Sequence, residues 1–175
     1  MAIIEAIETV YLEANTTYIN LTSLGTYEHL QIRYSARSAS TSSNYYDSMN
    51  IRFATGGGAI DTGTNYSIQQ MYATGSSSVG AGAATGQTAI YVAGMGDTVS
   101  SGSSNYGANI IDILDYRNAN KNTSIQTYFA TGAKGVGTTY TIFASGMWDN
   151  TGAVDKIELG FYSSSSILRG TELTL

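Results

Sequence analysis

Cysteine and proline are both absent from the chain. Without Cys there is no disulfide, no thiolate metal site and no cysteine nucleophile, so the fold is expected to be indifferent to redox compartment. Histidine occurs once, at His29, which excludes a Cys/His zinc cluster and leaves any Ser-His-Asp scheme a single candidate base. Charge is scarce: 12 % of residues are Asp, Glu, Lys or Arg, about half the usual globular share. Lys and Arg number 8 against 13 Asp and Glu, a net charge of −5, which denies the chain the basic footprint of a nucleic-acid binder. Long hydrophobic runs are missing as well. The opening MAIIEAIETVYLEA is broken by Glu5, Glu8 and Glu13 and has no basic leader, so it reads as neither signal peptide nor membrane span. The chain is expected to be made in the cytoplasm, with no membrane partner.

What is present favours strands and turns. A length of 175 residues with 42 % hydrophobic content suits one domain over 1–175, and Gly (20) and Tyr (14) are abundant beside Ser, Thr and Asn. Period-two alternation is the main signal. In EHLQIRYSAR, Leu30, Ile32, Tyr34 and Ala36 share one face, with Gln31, Arg33, Ser35 and Arg37 on the other. In DKIELGFY, Ile157, Leu159 and Phe161 alternate with Lys156, Glu158, Gly160 and Tyr162. These two sets are expected to face the core. Weaker runs cover 3–12, 17–22, 50–54, 66–73, 88–93, 109–116, 125–130, 139–148 and 167–173, giving about ten or eleven strands. Between them lie stretches rich in Gly, Ser and Asn, among them TGSSSVGAGAATG, read as turns. A-T-G recurs at Ala54, Ala73, Ala84 and Ala130, where the glycine is expected to supply positive φ at a strand end. Many short strands with such turns imply an all-β fold: a single antiparallel β-sandwich of jelly-roll type.

Catalytic signatures are missing. No serine sits in G-x-S-x-G, no phosphate loop occurs, and the run from Gly80 to Gly86 lacks dinucleotide spacing. The nearest acid pairs, Glu5/Glu8 and Asp112/Asp115, stand at i, i+3, which puts them on opposite faces of a strand and unable to flank one glycosidic bond. His29 falls on the polar face beside Leu30 and reads as a surface histidine. Asp61-Thr-Gly-Thr-Asn65 and Asp149-Asn-Thr-Gly152 offer oxygens for calcium, but the same residues are ordinary turn chemistry, and the turn reading is preferred. Trp148, in phase with Tyr140, Ile142 and Ala144, is expected in the core. No catalytic residue, metal or cofactor is expected.

The remaining candidates concern association. Tyr45 and Tyr46 lie side by side in the polar stretch SASTSSNYYDS, where both cannot be core, and a subunit contact is preferred over a glycan. The first thirty-two residues hold Glu5, Glu8, Glu13 and Glu28 and no Lys or Arg, a one-sided charge suited to a basic patch on a partner. A chain of many strands without proline leaves sheet edges open, so a homo-oligomer is expected, trimer ahead of dimer.

Taken in order, IETVYLEANTTYINLTSL, EHLQIRYSARSAS, IRFATGG, NYSIQQMYATG, GQTAIYVAG, FASGMWDNTGAVDKIEL and ILRGTELTL give a pattern that resembles the β-sandwich structural proteins of tailed-bacteriophage virions. The resemblance runs over nearly the whole length, through strands and turns and not site residues. It implies a non-enzymatic virion protein, first a capsid decoration (cement) subunit on the particle exterior bound to the major capsid protein. The alternative is a receptor- or carbohydrate-binding module of tail or fibre, meeting a tail protein or a host surface glycan. No separate attachment domain or coiled coil precedes the pattern, which favours decoration.

Overall fold

The computed structural model describes residues 4–40, 47–75, 78–95, 106–132, 139–163 and 165–175. Twelve strands make up the regular structure: β1 (Thr9–Tyr11), β2 (Tyr18–Leu21), β3 (Leu30–Ala36), β4 (Asp47–Thr55), β5 (Tyr66–Thr74), β6 (Ser78–Gln87), β7 (Ile90–Met95), β8 (Gly107–Leu114), β9 (Thr123–Gly132), β10 (Thr139–Trp148), β11 (Val154–Phe161) and β12 (Glu172–Thr174). No helix occurs among the described residues. The strands form two antiparallel sheets, one of eight in the order β1-β12-β3-β8-β9-β10-β5-β6 and one of four in the order β2-β11-β4-β7. This is a sandwich of unequal sheets, and its order does not by itself single out jelly-roll connections.

The alternating sets behave as expected. Leu30, Ile32, Tyr34, Ala36, Ile157, Leu159 and Phe161 are all buried. They meet Ile51, Phe53, Ile111, Phe129 and Trp148 in one apolar cluster between the sheets. Burying each large side chain contributes about 1.5–3 kcal/mol, and this cluster is the main source of stability. Buried tyrosines keep their hydroxyls bonded, as a low-dielectric interior demands. Asn109 donates to the Tyr34 hydroxyl at 2.6 Å and accepts from Thr127 at 2.7 Å, tying β3, β8 and β9 together. Tyr116 donates to the carbonyl of Leu24 at 2.9 Å.

One segment departs from expectation. TGSSSVGAGAATG, read as a turn, instead supplies most of β6, paired with β5 from Thr74↔Ser78 to Ile68↔Ala84. Neighbouring side chains lie close over it: a Cβ on Gly80 would stand 2.4 Å from the distal end of the Tyr72 ring, and one on Gly82 would be in ordinary contact, 3.5 Å, with the Gln70 amide. Side chains of β5 lie over β6, so the strand has no apolar alternation of its own. Of the A-T-G glycines, Gly56, just after β4, and Gly86, one residue before the end of β6, take positive φ as expected; Gly75, just after β5, does not, and Gly132 is the last residue of β9.

The chain ends close one edge of the large sheet. β1 pairs with β12, and Leu175 donates to the Glu8 carbonyl at 2.9 Å while accepting from Ile7 at 2.7 Å. The opposite edge, β6, carries neither charge nor proline.

The Asp61–Asn65 segment is a turn with a structural duty. Asp61 accepts from the Gly63 N–H at 2.8 Å, the Asn65 amide at 2.9 Å and the Trp148 indole at 2.8 Å. Desolvation pushes its carboxyl up, but these three donors outweigh that and hold it below the ordinary carboxylate value. A depressed folded pKa contributes stability above the unfolded value of about 3.9, and this is lost as pH falls through the folded pKa. Urea unfolding from pH 7 to pH 2 is therefore expected to show an acid limb that Asp61→Asn flattens. Equal acid slopes for wild type and variant would contradict the role given to Asp61.

Candidate docking surface

The outer face of the eight-stranded sheet spans all eight strands, and register divides it into two zones. One row of cross-strand neighbours runs over all eight strands: Thr9, Thr174, Arg33, Ile110, Tyr128, Phe143, Met71 and Ala81. Its first part, on β1, β12, β3 and β8, belongs to a zone with charges. Its second part, from Ile110 onward, crosses strands whose residues on β9, β10, β5 and β6 include no Asp, Glu, Lys, Arg or His.

In the charged zone, residues 4–7 lie beside β3 and leave a groove of about 580 Å³ lined by Glu5, Tyr27, Glu28, His29, Arg33 and Asp112. Glu5 is exposed and accepts from the Tyr27 hydroxyl at 2.8 Å. That bond, with desolvation, raises the Tyr27 phenol above its usual value. Asp112 accepts from Gln31 at 2.7 Å. His29 stands at the surface as expected, and its Nδ1 accepts from the Asp115 backbone N–H at 3.0 Å, which places the neutral ring's proton on Nε2, toward Glu28 at 3.9 Å. Asp115 takes positive φ (50°) to make that contact, an αL conformation that Asp tolerates. Its carboxylate is ion-paired with Lys121, which holds its pKa down.

Glu28, His29 and Asp115 bring one potential metal-ligand atom each within 4.8 Å of one another. Two of the three are already bonded: Lys121 takes Asp115 Oδ2, and the Asp115 N–H takes His29 Nδ1. A cation on the imidazole would compete with the Asp115 N–H, and as built these residues form a hydrogen-bonded loop clasp.

The uncharged zone is apolar at its centre. Ile110, Tyr128, Phe143 and Met71 are neighbours in one row and are 36 %, 50 %, 47 % and 60 % exposed. On one side lie Gln126, Ser145 and Gln69, a polar row that ends at Asp112 where it reaches β8. On the other side run the small residues Ala108, Ala130, Thr141 and Ala73.

Of the residues singled out by sequence, Glu5 lies in the groove. Glu8 is half-buried, and its backbone serves the pairing of the chain ends. Tyr45 and Tyr46 fall outside the described residues. Tyr27, Arg33 and Asp112 were not anticipated, nor was the apolar row; its members are far apart in sequence and meet only through register. A second, smaller recess of about 290 Å³ opens between the sheets near β6, where Tyr91 and Tyr162 stand edge to face at 4.9 Å beside Gln70. Compared with known proteins, the chain matches no family model, no curated protein sequence and no solved structure.

Proposed function

We propose that the protein is a non-enzymatic structural protein of a tailed-phage virion, and within that class a decoration subunit on the exterior of the assembled capsid, with the major capsid protein as partner. The observation that carries this reading is the groove along the N-terminal segment. Exposed Glu5 and Glu28 there meet a broad sheet face, a shape and charge suited to a basic ridge on a flat protein lattice. Two of its acids, Glu5 and Asp112, are held by Tyr27 and Gln31 in hydrogen-bonded positions, which suits recognition better than proton transfer. A subunit that bridges neighbouring capsomers binds only the assembled lattice and stabilises it by mass action.

The tyrosine-lined recess between the sheets favours a second reading, a receptor- or glycan-binding module on tail or fibre. Aromatic faces with an amide and a glycine floor suit a sugar ring. Quantitative mass spectrometry of purified particles separates the two. Hundreds of copies per particle are expected for decoration; a few to dozens would move the protein to the tail, and absence from particles would overturn both.

A further inference from the structure

We infer that the uncharged zone of the large sheet's outer face is covered by another copy of this chain. Three observations lead there, independent of where the protein sits on a particle. The first is composition. Ile110, Tyr128, Phe143 and Met71 form a contiguous exposed apolar row; on β9, β10 and β5 the rows beside it are small or polar without charge, and charge enters only at the β8 and β3 end, with Asp112 and Arg33. An apolar centre with an uncharged polar surround is the anatomy of a protein interface, and aromatic and Met side chains are the types enriched in one.

The second is charge. Each chain carries −5, so two copies repel over most of their surfaces. Strands β9, β10, β5 and β6 contain no ionisable Asp, Glu, Lys, Arg or His, so two copies meeting there oppose no like charges. An unrelated partner chosen by electrostatic complementarity would find nothing to read in this zone, whereas a self-complementary stack needs only matching shape. A two-fold axis near the middle of the row sets Tyr128 and Phe143 of one copy against the same pair of the other, with the sheets aligned as in ordinary sheet-on-sheet packing.

The third is extent. Four strands spaced by ~4.8 Å, each of nine to ten residues at ~3.3 Å, present a face of roughly 20 by 30 Å, or roughly 600 Å². Two such faces brought together bury about 1,200 Å² in total, which reaches the lower end of the range for a stable interface. The zone also ends at β6, an edge strand lacking the charge or proline that usually blocks association.

Sedimentation velocity of the full chain between 1 and 100 µM tests the inference. Wild type is expected to sediment above the mass of a monomer. Phe143→Lys is expected to weaken self-association about thirtyfold or more, in line with loss of a central aromatic anchor. Ser145→Lys, which alters an exposed polar position beside the row and no buried group, is expected to do the same. Circular dichroism spectra of both variants should match wild type, because both positions are exposed on the folded chain. A wild-type chain that stays monomeric at 100 µM would overturn the inference, as would an oligomer that both charged variants leave intact.

Discussion

Trp148→Ala is expected to destabilise the sandwich by about 3–5 kcal/mol, the range for removing a large buried aromatic side chain and leaving a cavity. Trp148 is 1 % exposed at the end of β10. Its ring lies 5.6 Å from that of Phe53 and stacks at 6.2 Å on Tyr66, joining the small sheet to the large one. The Tyr66 hydroxyl in turn accepts from the Phe53 N–H at 3.1 Å and donates to the Asp61 carbonyl at 3.0 Å. Losing the indole thus removes packing and strips a donor from Asp61 at once. Trp148→Phe keeps most of the packing and loses the N–H, so it should cost less, about 1–2 kcal/mol. Urea unfolding of the two variants measures both. A loss below 1 kcal/mol for Trp148→Ala would mean that the two sheets do not depend on this contact.

Gly146→Val is expected to cost about 3 kcal/mol by overpacking, with Gly146→Ala at about 1–3 kcal/mol. Gly146 lies on the inner face of β10, where a Cβ would stand 2.3 Å from Cγ2, 2.9 Å from Cδ1 and 3.0 Å from Cγ1 of Ile90. Ile90 is fully buried and β-branched, so its side chain has no free rotamer to retreat into. The two sheets approach here because one residue has no side chain. The clash is specific to one pair, so the penalties of Gly146→Ala and Ile90→Ala should fall short of their sum in the double variant. Strict additivity would place the strain elsewhere. By contrast, Gly80→Ala meets only the distal end of Tyr72, which can swing outward, and should be milder.

Strands such as β3 and β11 were legible because each has one core face and one mostly polar face, so burial is written in every second residue. β6 was not. Its inner face is covered by Tyr72 and Gln70 of the neighbouring strand, and the resulting glycines and alanines look locally like a turn. Trp148 was placed in the core by its phase with Ile142 and Ala144, and it is there. Phe143 was not recognised as exposed, since TIFASGMW is apolar on both faces and carries no clue to which face is wet. The Ile110–Tyr128–Phe143–Met71 row exists only through pairings across β8, β9, β10 and β5, and sequence alone does not supply that register. The acidity of residues 1–32 was visible, but the groove that Glu5 shares with Tyr27 and Asp112 depends on the closure of β1 onto β12.

Electron cryomicroscopy of an intact particle that carries this chain tests most directly whether it is a structural subunit working through the outer face of its large sheet. The expected density places the sandwich on the shell exterior, with the Glu5 groove against capsid protein and the Tyr128–Phe143 row against a neighbouring copy. Density that turns this whole sheet face to solvent, or particles that lack the chain, would contradict the proposed role.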